Sequence, residues 1–137
     1  MTAVTRVAVV GHVEWVTHAL GPLPAEGDIV ELADAFDEPA GGGAVTAAQI
    51  ARLGARSTLY TALGNDEAAR RSAQVLTGLG IDVHAATRDT PQRRAISIVT
   101  PCGHDRTIIV TDPPDSPRID DPLPWDDLAR HDAVYFT

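Results

Sequence analysis

The sequence has few of the features that a nucleic-acid-binding or membrane protein needs. Its 11 lysine and arginine residues stand against 19 acidic residues, which gives a formal net charge of -8. The basic residues are dispersed, so we expect no basic face that would bind nucleic acid or an anionic membrane. No apolar run approaches the roughly 20 residues that cross a bilayer as a helix. The sequence therefore predicts neither a nucleic-acid partner nor a membrane partner.

Cysteine is almost absent as well. Cys102 is the single cysteine, which excludes an internal disulfide and a metal site built on cysteines. His12 and His18 have no second ligand-type residue at a metal-binding spacing, so no metal site is predicted. These features favour a cytoplasmic protein. The 137 residues are enough for one globular domain with a buried core.

Three consecutive glycines, Gly41, Gly42 and Gly43, stand before an alanine-rich segment within residues 39–54. Glycine permits close approaches and backbone conformations that a Cβ excludes, and the alanines favour a helix. The free N–H groups at the start of such a helix attract hydroxyl groups and anions. A tight connection without any ligand has the same pattern, so this segment alone leaves both interpretations open.

Residues 6–11 form a β-branched run that ends in Gly11, which is typical of a strand buried in a parallel sheet. Ligands of open α/β sheets bind at the carboxyl ends of such strands. The residues that follow, including His12, Glu14 and Trp15, are therefore candidates for a binding site. Glu14 can accept hydrogen bonds from ligand hydroxyls; a solvated loop carboxylate is the alternative.

The rest of the sequence alternates strand and helix signals. Helices are predicted at 66–79, with Asp66 as N-cap and Gly80 as terminator, and at 125–130. A hairpin is predicted from residues 95–100 and 106–111. Further strands are predicted at 28–36, 55–63, 81–85 and 131–137.

Several small residues are spaced as in the first signature of the PfkB (ribokinase-like) family of carbohydrate kinases, namely Gly41, Gly42, Ala47, Gly54 and Gly64. The chain resembles this family along nearly its whole length. The resemblance implies a partial α/β domain over residues 1–137, the first half of a three-layer α/β/α fold, with a small β-sheet lid. The lid strands are expected within about 28–36 and 95–111.

The resemblance also implies ATP-dependent phosphorylation of a hydroxyl group on a sugar or sugar-like molecule, with Mg²⁺ as the metal. The substrate-binding positions it implies are Glu14, Val16, Gly41, Gly42, Gly43 and Val45, and the lid positions are Ile96, Ile98 and Ile108. Val16 and Val45 stand where the family usually has an aspartate and an asparagine. These two substitutions favour a less hydroxylated or unusual acceptor.

No catalytic residue is predicted in this chain, because the family's second signature, an Asp-Thr-x-Gly-Ala-Gly-Asp type of run, does not occur in it. We therefore expect these residues to be the N-terminal part of a longer kinase. The alternative is a non-catalytic module for small-molecule binding or dimerisation. A Rossmann-type nucleotide site is less favoured, because no Gly-x-Gly-x-x-Gly follows the first strand.

A lid with one exposed apolar face must either close over a ligand or pack against another subunit. The sequence therefore also predicts a homodimer through the β lid. A hairpin that only covers the core of its own domain is the alternative.

Overall fold

The computed structural model describes residues 4–101, 105–111 and 115–137. Within these residues the chain forms two α-helices, eight strands and one 3₁₀ helix. In chain order they are β1 (Arg6–Val10), β2 (Glu14–Leu20), β3 (Asp34–Ala40), α1 (Gly41–Arg52), β4 (Arg56–Leu63), α2 (Glu67–Gly78), β5 (Asp82–Thr87), β6 (Arg94–Val99), β7 (Arg106–Val110), the 3₁₀ helix Trp125–Arg130 and β8 (Ala133–Phe136). The centre of the hairpin turn, including Cys102, lies outside the described residues.

The main sheet is parallel and has the strand order β5-β4-β1-β8. Because side chains alternate along a strand, each face of this sheet has its own core. Val9 and Leu59 are fully buried in the core shared with α1 and α2. Ala8, Val10 and Tyr60 pack on the other side, against the 3₁₀ helix and the segment before it. The predicted layered α/β fold is confirmed.

A second sheet, the lid, has the strand order β3-β2-β6-β7. Strand β2 is parallel to β6, and the two outer pairs are antiparallel. Strand β2 was not predicted from the sequence. The next strand was predicted to begin too early: residues 28–33 are not a strand, and β3 pairs with β2 only from Asp34 onwards. The alternating residues before Asp34 have no partner strand, and Ile29 is 99% exposed.

The second helix begins and ends as predicted. The Asp66 side chain accepts a hydrogen bond from the backbone N–H of Ala69 at 3.1 Å, which is the usual contact of an N-cap. Gly80, just after the helix, has a φ of 80°, a backbone conformation that glycine adopts at little cost. Among the described residues, no helix is long and apolar enough to cross a bilayer.

A buried ion pair connects residues 115–121, which follow the lid in the chain, to the end of β5 in the main sheet. Arg88, just after β5, holds both carboxylate oxygens of Asp121 at 2.6 and 2.8 Å and also contacts Asp115 at 3.0 Å. The side chains of Arg88 and Asp121 are only 13% and 8% exposed. The contact with Arg88 holds the pKa of Asp121 at about 2, although burial acts in the opposite direction. This part of the chain is thus ordered by charge as well as by packing.

Candidate functional site

A cavity of about 600 Å³ lies between the lid sheet and the start of α1. The connection that follows β1 forms one side of it, so it opens at the carboxyl end of a parallel strand, where the topology favours a ligand site. Strands β2, β3, β6 and β7 supply the lid side. The residues on its walls include His12, Glu14, Val16, Val45, Ser97 and Ile108.

Five of the six predicted substrate-binding residues lie on this cavity, namely Glu14, Val16, Gly41, Gly42 and Val45. They come from two elements, β2 and α1, that the β1–β2 connection and β3 bring together. Their role in binding stays a prediction. The sixth residue, Gly43, is not on the cavity wall. A glycine is needed there for helix packing.

Gly43 packs against the connection between β1 and β2. Its N–H donates to the carbonyl oxygen of His12 at 3.0 Å, and a Cβ at this position would lie 2.8 Å from the carbonyl carbon of Gly11. The sequence predicted that the glycine segment precedes the helix. In the structure it forms the first turn of α1. At Gly43 the absence of a side chain therefore serves helix packing rather than the approach of a ligand.

Glu14 is not the solvated loop carboxylate that was considered as its alternative. It begins β2, and its Oε2 accepts a hydrogen bond from Nε of Arg93 at 2.7 Å. The two side chains are 16% and 15% exposed. No sequence pattern indicates this pair, because the two residues are far apart in the chain and adjacent only in the folded sheet.

The neighbouring His12 is affected by the same pair. Burial lowers the pKa of His12; Glu14 opposes this shift and Arg93 adds to it. An imidazole with a lowered pKa is neutral at pH 7. His12 therefore presents an uncharged ring to the cavity, able to donate one hydrogen bond and accept another.

No cluster of three His, Cys, Asp or Glu side chains suited to a metal ion occurs in the described part of the chain.

The two valines give the cavity an apolar portion. Val16 is 4% exposed within the lid, whereas Val45, in the first part of α1, is 57% exposed. Neither offers a hydrogen bond to a ligand. A ligand hydroxyl placed against them would lose its water without gaining a partner, which is unfavourable.

The lid isoleucines do not share one face, contrary to the expectation of a single apolar face. Ile108 lies on the cavity wall. Ile96 and Ile98 lie on the opposite face of the lid, because side chains alternate along a strand and Ser97 between them lines the cavity. Ile96 is 45% exposed and Ile108 is 48% exposed, so both faces carry accessible apolar side chains.

Four polar residues of the lid also line the cavity without having been predicted as site residues: His18, Glu38, Ser97 and Arg106. His18 follows Glu14 and Val16 at every second position of β2. Had β2 been identified as a strand, this spacing would have placed His18 on the same face. The cross-strand neighbours of His18 depend on the register of the sheet, which the sequence pattern alone does not determine.

A parallel sheet flanked by helices, a helix that begins with glycines, and a four-stranded lid over the intervening cavity are the features of a ribokinase-like protein. Residues 4–137 match the sequence model of the pfkB family of carbohydrate kinases. The chain therefore belongs to that family. No curated protein is similar enough in sequence to count as a relative.

Solved structures show the same fold. A protein of Agrobacterium tumefaciens provisionally named a ribokinase is 22% identical, with a TM-score of 0.84 over 98% of this chain and 44% of its own. The ribokinase of Arabidopsis thaliana, solved with ribose and ATP, is 23% identical, with a TM-score of 0.62 over 80% of this chain and 36% of its own. Phosphofructokinase-2 of Escherichia coli, solved with fructose-6-phosphate, is 15% identical, with a TM-score of 0.73 over 98% of this chain and 45% of its own.

The chain thus spans less than half the length of these solved proteins. The elements of this chain are the parallel sheet, its two helices and the lid.

Proposed function

We propose that this chain supplies the acceptor-binding and lid half of an ATP-dependent kinase that phosphorylates a hydroxyl group of a sugar or sugar-like small molecule. The observation that carries the proposal is the cavity beneath the lid, on which Glu14, Val16, Gly41, Gly42 and Val45 converge. Membership of a carbohydrate kinase family supports the reaction type. The proposed protein is cytoplasmic, as its low cysteine content favours.

The residues of the cavity have distinct roles in this proposal. Glu14 has one carboxylate oxygen outside its contact with Arg93, and this oxygen accepts a hydrogen bond from an acceptor hydroxyl. The backbone of Gly41 and Gly42 lies on the cavity wall at the start of α1, where the helix dipole favours a hydroxyl oxygen. Ile108 in the lid covers the acceptor and excludes water from it.

ATP and Mg²⁺ are the cofactors that the family implies. The described residues contain no cluster of three acidic, histidine or cysteine side chains suited to a metal, so they do not fit Mg²⁺, and no residue of this chain is assigned to ATP. No step of phosphate transfer is therefore attributed to this chain. Its contribution is to bind, orient and enclose the acceptor.

The first test is the intact mass of the natural gene product, followed by a screen of hydroxyl acceptors with Mg-ATP. A mass well above the 14.5 kDa of these residues, together with transfer of phosphate to an acceptor, is the expected result. A mass equal to that of these residues, or ligand binding without any transfer, would contradict the kinase proposal. Either result would favour a module for binding or dimerisation.

The valine positions provide a sharper test. Val16→Asp and Val45→Asn introduce the polar groups that are usual in the family, and we expect each to shift kcat/KM towards more hydroxylated sugars by about tenfold, the equivalent of one good hydrogen bond. Val75→Asn is the matched control, because Val75 is an exposed helical valine of α2 away from the cavity. An unchanged acceptor preference in both cavity variants would refute their place in the acceptor site.

We also propose a homodimer through the lid. Ile96 and Ile109 are 45% and 54% exposed, and β7 is an edge strand with unpaired backbone groups on its outer side. Ile109→Lys is expected to give a monomer in light scattering, whereas Leu53→Lys, at an even more exposed position just beyond α1, leaves the dimer intact. A wild-type protein that stays monomeric at high concentration would contradict this proposal.

A further inference from the structure

Two polar side chains on the lid side of the cavity have buried atoms that make no hydrogen bond to any described residue. Ser97 in β6 is 2% exposed, and its Oγ has no partner. His18 lies opposite it in β2, and its buried Nε2 has none either. An unpaired buried polar atom is costly. Because Ser97 and His18 also line the cavity, a ligand in the cavity can supply the missing partner.

A carboxylate adjoins these atoms. Oε1 of Glu38 lies 3.0 Å from Nε2 of His18, although the angles do not meet those of a hydrogen bond. The Glu38 side chain is 53% exposed, against 23% for His18, so the carboxylate remains accessible from the cavity. We call these residues, His18, Glu38 and Ser97, the lid polar patch.

The lid polar patch borders the apolar portion of the same cavity. His18 stands two positions after Val16 on β2, a separation of roughly 7 Å along a strand, and Glu38 is the direct cross-strand partner of Val16. A ligand that reaches the lid polar patch therefore also contacts Val16. This part of the cavity fits a molecule that presents a hydroxyl group beside an apolar edge.

Glu14 is less available for the same purpose. Its Oε2 is held by Arg93 at 2.7 Å, and both side chains are largely buried. The charge of this carboxylate is therefore compensated within the protein. The lid polar patch, in contrast, includes the buried Ser97 hydroxyl, whose hydrogen-bonding capacity no described residue uses.

We propose that the lid polar patch binds a hydroxyl group of the acceptor, and that Val16 covers an adjacent carbon that carries no hydroxyl. The accessible Glu38 carboxylate, beside His18, accepts a hydrogen bond from the hydroxyl group, and the Ser97 hydroxyl donates a hydrogen bond to the hydroxyl oxygen. The ligand class is a partly deoxygenated polyol such as a deoxy sugar. The inference rests on the proposed function only in taking this cavity to be the acceptor site.

Binding without turnover tests this inference directly. We would titrate the natural gene product with D-ribose, D-glucose and their 2-deoxy analogues in a calorimeter, with no nucleotide present. At least one deoxy sugar is expected to bind more tightly than its parent. Ser97→Ala and Glu38→Gln should each weaken that binding about fivefold to tenfold, which is the effect of one lost hydrogen bond.

Ser57→Ala is the matched control for the serine. Ser57 is 3% exposed and its Oγ also lacks a partner, but it lies in β4 of the main sheet, away from the cavity. Both serine variants should unfold at or above the wild-type temperature, because each loses an unpaired buried hydroxyl. Asp37→Asn is the control for Glu38, since Asp37 lies in the same strand on the opposite face of the lid.

Three results would overturn the inference: wild-type affinity in Ser97→Ala, tighter binding of the parent sugars than of the deoxy sugars, or no binding of any of these probes. Wild-type affinity in Ser97→Ala would mean that water satisfies its hydroxyl. Binding that depends on Ser97 but leads to no phosphate transfer from Mg-ATP would support the inference and refute the kinase proposal, so the two failures are distinguishable.

Discussion

Replacing Arg88 by methionine should be the most destabilising single change among the charged residues discussed here. The methionine retains much of the aliphatic stem but leaves the Asp121 carboxylate, which is 8% exposed, without its two guanidinium contacts at 2.6 and 2.8 Å. Removal of one partner from a buried ion pair typically costs about 3–5 kcal/mol, since the other charge stays buried. Arg130→Met is the control: its pair with Asp127 is largely exposed and is worth at most about 0.5 kcal/mol.

The cost of Arg88→Met should depend on pH in a defined direction. In the folded protein the pKa of Asp121 is about 2, against about 3.9 in an unfolded chain. A lowered pKa contributes stability above the unfolded value, here roughly 2–3 kcal/mol at pH 7, and this contribution falls to about half near pH 3. It disappears below pH 2, because the carboxyl is then protonated in both states.

Urea unfolding of the natural gene product at pH 7 and pH 3 provides the measurement. The fluorescence of Trp125 is a suitable probe, because its indole N–H donates to the carbonyl oxygen of Asp121 at 3.1 Å. The difference in unfolding free energy between wild type and Arg88→Met should be large at pH 7 and clearly smaller at pH 3. A cost no larger than that of Arg130→Met, or one that does not change with pH, would refute the reasoning.

Two further predictions concern residues that hold the cavity together. Gly43→Ala should lower the unfolding free energy by about 2 kcal/mol, because the added Cβ would overlap the carbonyl of Gly11; Gly78→Ala, in a helix with open space around it, should raise it by about 0.5 kcal/mol. Gln92→Ala should cost about 2–3 kcal/mol in urea unfolding, because the buried amide of Gln92 donates to the carbonyl oxygen of Val13 at 2.6 Å and accepts from a backbone N–H of the β4–α2 turn at 2.9 Å. Equal stability of the two alanine variants at glycine positions, or a neutral Gln92→Ala, would contradict these assignments.

Local signals in the sequence predicted those elements whose structure depends on neighbouring residues. The β-branched run before Gly11 predicted β1, and Asp66 with Gly80 predicted the ends of α2, because caps and strand propensity act over a few residues. The spacing of the glycines predicted the family and, through it, the layered α/β fold. Most of the residues proposed for the cavity followed from that resemblance.

The sequence failed where a residue's environment depends on pairing between distant segments. Strand β2 went unrecognised because it is an inner strand of the four-stranded lid, and its strand character comes from hydrogen bonds to β3 and β6. The partner of Glu14 is Arg93, which the fold brings to it from the position just before β6. Such contacts depend on sheet register, and a shift of one residue would turn every side chain to the other face.

The amino-acid sequence by itself determined the positions of most helices and strands, the acidic character of the chain and its kinase-family signature. Only the tertiary structure decided which residues face the cavity: it placed Gly43 behind the wall, divided the lid isoleucines between two faces, and brought His18, Glu38 and Ser97 together. The physical reason is that propensity and capping act along the chain, whereas a binding surface is created when sheets and helices from separate segments pack against each other.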